Sequence, residues 1–246
     1  MRANRFAQVF SFTVMSSLKI ITYPFYRFEN NWLSEEKEEG LADVRLVVLL
    51  NHTSLYETLF VRLAPFRFLW KIARNMLVPV ADITTKRPIV GRFIDMLVPG
   101  VVPISRKRDD SWQTFLDRIS SDSIVAILPE GRMRRHDGKD KFGKPMSVRA
   151  GIADIIEKIE HGKILFVYSG GLHHIQVPGQ TFPRLFKKIK TNMELVSVKE
   201  YKEALFHSEL KARKRAYVRD IQSRLEQKTP FCDQQPYNQA IDKESK

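Results

Sequence analysis

Cysteine is almost missing from this chain: Cys232 is the only one in 246 residues. No intrachain disulfide can form, and no cysteine-rich zinc site can be assembled. Such usage fits a reducing, intracellular location. Cys232 sits in TPFCDQQPYNQ, which reads as a mobile tail, and a catalytic thiol needs a fixed base beside it. Also lacking are a stretch apolar on every side, as a bilayer span requires, a small-x-small cleavage site after the first apolar run, any internal repeat and any low-complexity linker. No G-x-S-x-G occurs, so the nucleophile elbow of the serine hydrolases is excluded. Acidic residues are in deficit, 28 against 41 Lys plus Arg, leaving a net charge of +13. A surface so charged attracts anions: nucleic acid, phospholipid headgroups, phosphorylated substrates or an acidic carrier protein.

What is present is enough for a packed core, 43% hydrophobic residues in a length suited to one α/β domain. Between Arg5 and Arg27 the only charge is Lys19. On a 3.6-residue wheel Phe6, Phe10, Val14, Leu18, Ile21 and Phe25 share one side, and Gln8, Ser11, Lys19 and Thr22 the other. This pattern predicts an amphipathic helix lying in a membrane interface, apolar side down; packing against its own domain is the competing use. The chain divides into this helical segment, 1–30, a body, 31–230, and a polar tail, 231–246.

The run RLVVLL ending at Leu50 has the length and branching of a buried strand, and a helix should start near Ser54. Arg67 to Ala73 reads as the next strand, Pro88 to Leu97 as a short helix and Val101 to Ser105 as a strand. Asp110 to Ile119 reads as a helix and Ser123 to Leu128 as a strand. A charged loop, EGRMRRHDGKDKFGKP, leads to the amphipathic helix SVRAGIADIIEKIE and the buried strand KILFVYS. MELVSVKEY reads as an edge strand, and from Lys202 to Gln227 the stripe Val218, Ile221 and Leu225 marks a long helix with KARKR facing water or headgroups. Strands alternating with helices predict a single α/β domain with a largely parallel mixed sheet flanked by helices.

The junction LLNHTSLYE carries the chemistry. Ser54-x-x-Glu57 is a capping box, in which serine and glutamate satisfy the first amides of a helix and His52 is only a loop residue. The same geometry allows a second use. Within one helix His52 and Glu57 would point about 140° apart; with the helix starting at Ser54, His52 lies in the bend before it and Glu57 in its first turn, facing back. The carboxylate then holds one ring nitrogen and leaves the other free as a base.

Asn51-His52-Thr53-Ser54-Leu55-Tyr56-Glu57 resembles the N-H-x-S-x-x-D block of the glycerolipid and lysophospholipid acyltransferases, the 1-acylglycerol-3-phosphate acyltransferase superfamily. Later blocks follow in the family's order: Lys71 to Pro79 with Pro88 to Gly91 and Gly100 to Arg106, then Ile127-Leu128-Pro129-Glu130-Gly131-Arg132, then Arg149-Ala150-Gly151 ahead of KILFVYSGG. The likeness covers Val47 to Gly171. Three departures stand out. Glu57 replaces the usual aspartate; LPEGRM puts Arg132 and Met133 where the family has threonine and arginine; and Phe166 stands where proline is usual. Arg132 or Arg134 is expected to supply the missing guanidinium.

The resemblance implies transfer of a fatty acyl group from a thioester, acyl-CoA or acyl carrier protein, to a hydroxyl of a lysophospholipid, with 1-acylglycerol-3-phosphate the foremost acceptor. His52 would act as general base and Glu57 would orient it. Arg106 would grip the acceptor phosphate, and Glu130 and Gly131 would belong to the acceptor site. No cofactor and no metal is expected; the adjacent His173 and His174 have no partner at ligand spacing and read as a surface loop. The expected partners are a phospholipid surface, on the cytoplasmic face of a membrane, and the acyl donor, with no nucleic acid. The alternatives are a non-catalytic basic nucleic-acid-binding module, supported by charge and KARKRAYVR but lacking a recognised binding motif, a lapsed membrane-surface relative, and an enzyme for a non-phosphatidate acceptor.

Overall fold

The structure, a computed structural model, describes residues 4–82, 88–105, 109–135, 137–177, 180 and 182–232. Its centre is a seven-stranded sheet in the order β1-β7-β6-β2-β5-β3-β4. The strands are β1 (Tyr26–Trp32), β2 (Val44–Leu50), β3 (Met76–Ala81), β4 (Val101–Ile104), β5 (Ile124–Ile127), β6 (Lys163–Ser169) and β7 (Lys187–Ser197). β2 runs parallel to both neighbours, β5 and β6, and β3 is parallel to β5 and β4. β7 is antiparallel to β6 and parallel to β1, which makes the sheet mixed.

The near-continuous apolar runs of β2, β5 and β6 follow from cover on both faces. Side chains alternate along each strand. Val44 and Val47 of β2, Ala126 of β5 and Leu165 and Val167 of β6 face one layer with Leu59, Phe60, Leu69 and Ile72. Leu46, Val48 and Leu50, with Val125, Ile127, Ile164 and Phe166, face the other, with Phe115, Ile152, Ile156, Tyr217 and Ile221. The first layer holds α1 (Arg5–Ile21), the 3-10 helix Leu55–Leu63, α2 (Phe66–Asn75) and the end of α3 (Pro88–Leu97). The second holds α4 (Ser111–Asp117), α5 (Gly151–Lys158), α6 (Val198–Ala204) and α7 (Leu210–Lys228).

Several expectations are corrected. Arg67 to Ala73 is not a strand but most of α2, because the buried residues Phe68, Leu69, Ile72 and Ala73 recur at helical spacing; the strand is the following segment, β3. The helix expected near Ser54 does start there, as the 3-10 helix Leu55–Leu63 with Ser54 as its N-cap. MELVSVKEY is not an edge strand: β7 starts earlier, lies between β1 and β6, and its last residues turn into α6. The edge is β1, in a segment read partly as helix and partly as turn. His173 and His174 are buried, not on a surface loop, and Cys232, placed in a mobile tail, is buried as well. Residues 233–246 lie outside the described residues.

Helix α1 buries part of its polar side along with part of its apolar side, and leaves an apolar stripe exposed. Gln8, Ser11 and Met15 face the protein; Ser11 Oγ donates to Leu97 O, and Lys19 Nζ donates to the carbonyls of Arg62 and Ala64 at 2.7 and 2.8 Å. Phe6, Val9, Phe10, Thr13, Ser17, Ile20 and Ile21 face outward, Phe6 79% and Ile20 62% exposed. Val14, Leu18 and Phe25, placed on the lipid side by the helical wheel, pack instead against the core.

Gly100 sets how closely β3 and β4 approach. A Cβ there would lie 2.0 Å from the carbonyl oxygen of Met76, while Gly100 O accepts from Val78 N at 3.1 Å. Gly100→Ala is therefore expected to destabilise by about 2–3 kcal/mol, in the range of overpacking. A lower urea midpoint with an unchanged slope would register it; an unchanged midpoint would show that the strands separate without cost.

Candidate active site

The connections fix where a site can form. After β2 the chain passes through the layer of α2 to reach β3, and after β5 it passes through the layer of α5 to reach β6. Neighbouring strands whose connections leave to opposite faces open a crevice at their carboxyl ends, where open α/β sheets bind ligands. Asn51-His52 follows β2 and Pro129-Glu130 follows β5, so the two sides of this crevice carry the two motifs.

Asn51 takes a left-handed conformation, φ 65°, which asparagine tolerates better than most residues. This turn ends the strand and swings His52 out of the sheet. Asn51 Nδ2 donates to Ser169 O at 2.8 Å, tying the turn to the end of β6. His52 Nδ1 lies 2.8 Å from Glu57 Oε2, with 17% of the histidine side chain and 7% of the glutamate exposed. Glu57 Oε1 accepts from the amides of Thr53 and Ser54 at 2.7 and 3.0 Å, and Ser54 Oγ accepts from Tyr56 N at 3.2 Å. The capping box and the histidine pair, two competing uses of the sequence, are both present in one carboxylate.

The extra methylene of Glu57 lets one oxygen cap the 3-10 helix while the other reaches back to the ring. With Nδ1–H donating to Glu57, Nε2 carries the lone pair that a general base needs. Burial works against a charged His52, but the charge of Glu57, its hydrogen bond and the charge of Glu130 together outweigh it and hold the imidazole above its ordinary value.

Behind the pair lies the segment after β6, expected as a surface loop. Leu172 N donates to Thr53 Oγ1 at 2.8 Å, and Ser54 Oγ donates to Gln176 Oε1 at 2.8 Å. His173 Nε2 donates to Arg134 O at 2.7 Å, and His174 Nε2 to Lys188 O at 2.7 Å. Both histidines brace loops. Among the described residues no group of three or more His, Cys, Asp or Glu gathers as metal ligands.

The other expected residues divide. Glu130 is fully buried; its Oε1 accepts from Asn51 N at 2.6 Å and His52 N at 3.3 Å. Gly131 has φ 69°, the left-handed turn that releases the chain from β5. Arg134 N donates to His52 O at 2.6 Å, the charge of Arg134 acts on the Glu130 carboxyl, and Arg134 Nε is buried with no hydrogen-bond partner among the described residues. Arg132 is committed elsewhere: it pairs with Asp140, whose side chain is 1% exposed, and lies 4.6 Å over the Phe142 ring. Burial opposes the charge of Asp140, but the Lys144 amide, Arg132 and the Phe142 amide bring its carboxyl down to about 2. Of the two candidate guanidiniums, Arg134 is the one whose charge acts on Glu130. Arg106 lies outside the described residues.

A family model described as Acyltransferase matches residues 33–170. A comparison with curated proteins gives no match. Among solved structures, the crystal structure of the 1-acyl-sn-glycerophosphate (LPA) acyltransferase PlsC from Thermotoga maritima is similar, with a TM-score of 0.52 and 17% identity over 93% of this chain and 80% of that one. Because the family match runs through both sides of the crevice, from before His52 to beyond Glu130, the chain belongs to the acyltransferase family.

Proposed function

We propose that this chain transfers a fatty acyl group from a thioester, acyl-CoA or acyl carrier protein, to a hydroxyl of a lysophospholipid, with 1-acylglycerol-3-phosphate the foremost acceptor. The observation that carries this reading is the His52 Nδ1 to Glu57 Oε2 contact of 2.8 Å at the mouth of a crevice edged by Arg134. An alcohol is a weak nucleophile at neutral pH. His52 Nε2 takes its proton as the oxygen attacks the thioester carbonyl; the new C–O bond forms, the C–S bond breaks, and the imidazolium returns the proton to the departing thiolate. Glu57 holds the ring and stabilises its charged form. Arg134 meets the acceptor phosphate, to which a guanidinium makes paired, charge-assisted bonds, and Arg106 is proposed as a second cation.

Docking is peripheral in this reading. Among the described residues no helix is long and apolar enough to cross a membrane. The outward stripe of α1 is uncharged, and exposed Phe66 and Trp70 of α2 accompany it. Together they suit burial at the headgroup boundary, with basic side chains adding about 1 kcal/mol each on anionic lipid.

Thiol release from acyl-CoA or acyl carrier protein, with 1-acylglycerol-3-phosphate in vesicles, tests the chemistry. His52→Ala is expected to lose about 100- to 10,000-fold; unchanged release in that variant would end the reading. Because the base must be neutral and its pKa is raised, kcat/KM should fall as pH drops through a value above about 6.5. That acidic limb should move to lower pH in Glu57→Gln, and a limb that stays in place would remove Glu57 from the pair.

Arg134→Ala should raise KM about tenfold or more for phosphate-bearing acceptors, and less for a neutral monoacylglycerol. Arg132→Ala should chiefly lower thermal stability. Equal KM effects from both would mean that the Asp140 pair does not withdraw Arg132.

Replacing Ile20 and Ile21 together with glutamate should weaken sedimentation with anionic vesicles at least tenfold. Turnover of a short-chain acceptor in solution should survive the change. Unaltered sedimentation would refute docking through α1.

A further inference from the structure

We propose that Glu130 is a positioning residue for the catalytic turn, not a ligand of the acceptor; this rests on the acyltransfer reading and deepens it. The turn Leu50-Asn51-His52 breaks from β2 through the left-handed Asn51, which takes the amides of Asn51 and His52 out of the ladder. Successive amides around a left-handed residue form a concavity that binds an anion. Glu130 Oε1 fills it, 2.6 Å from Asn51 N and 3.3 Å from His52 N. A small anion from solution would do the same, so the chain has closed its own anion site with a carboxylate carried from the neighbouring strand.

Three further observations agree. Glu130 is fully buried, whereas a residue that reads a headgroup must present an oxygen to the cleft. Its Oε2 has no hydrogen-bond partner among the described residues and faces the field of Arg134. A carboxylate kept at this cost in solvation is retained for what it holds in place. Its backbone is fixed at the same point: Gly131 N donates to Leu128 O at 3.0 Å, and Arg149 N donates to Pro129 O at 2.8 Å. Burial pushes the Glu130 carboxyl upward while Arg134 and the Asn51 amide pull it down. In the charged form it adds to the field that favours imidazolium at His52.

Two substitutions separate the roles. Glu130→Gln keeps the shape and an acceptor oxygen but removes the charge; Glu130→Ala removes the pin. We expect kcat to fall about tenfold in the first and about 100-fold in the second, with acceptor KM within about twofold of the wild type. The His52 imidazole, followed by NMR titration, should deprotonate at lower pH in Glu130→Gln. Should Glu130→Ala fail to fold, Glu130→Gln carries the test by itself. A raised acceptor KM with kcat preserved would overturn the proposal, as would wild-type kcat together with an unshifted His52 titration. If the wild type transfers no acyl group to any lysolipid, the acyltransfer reading fails, and the imidazole titration still decides whether Glu130 acts on His52.

Discussion

One carboxylate joins the chemistry to the fold. Glu57 uses Oε1 to satisfy the first amides of the 3-10 helix and Oε2 to hold the ring of His52. A cap that fails leaves buried donors unpaired, and a base without its orienting acid loses its tautomer. Here both contacts leave from one side chain, so the ring of His52 is held to the start of a packed helix. That helix is anchored by Leu59 and Phe60 in the core, and a histidine on a bend acquires the stiffness of a core element.

The crevice makes this possible. Two adjacent parallel strands send their connections to opposite layers, leaving the ends of β2 and β5 facing each other with no element across them. Asn51 turns one end outward and Gly131 the other, both at positive φ. Arg134 then reaches back through its amide to His52 O, and His173 holds the carbonyl of the same residue. His52 follows β2, Glu130 and Arg134 follow β5 and His173 follows β6, and each is tied to the next by a hydrogen bond to a backbone atom.

How much of this was legible depends on how local each signal is. β2, β5 and β6 were readable because cover on both faces demands unbroken apolar runs, and α5 because Ile152, Ile155 and Ile156 fall on one face. The family blocks pointed to the His52 and Glu57 pair. FRFLWKIA misled because alternating apolar and basic residues mimic a strand, while its buried set, Phe68, Leu69 and Ile72, is helical. β1 escaped because an edge strand needs few buried residues: only Tyr26 is fully covered. His173 and Cys232 give no local sign of burial, since what covers them is distant in sequence. The choice between Arg132 and Arg134 was equally hidden, because it turns on Asp140 folding back over eight residues.

The orientation of α1 follows from the same need to satisfy backbone. The 3-10 helix ends at Leu63 and α3 ends at Leu97, and helix ends leave carbonyls without intrahelical partners. Ser11 and Lys19 supply donors to Leu97, Arg62 and Ala64, so these polar residues face inward and Phe6, Val9, Phe10, Ile20 and Ile21 are left outward. An apolar stripe of this length left in water would be a liability, whereas against lipid it is stabilising. At the end of α1, Phe25 O accepts from Phe186 N at 2.7 Å, and the chain leading back from Phe186 through exposed Phe182 is the one whose Leu172 and Gln176 brace the catalytic turn. One stretch of chain thus hydrogen-bonds both the segment after α1 and the turn that carries His52.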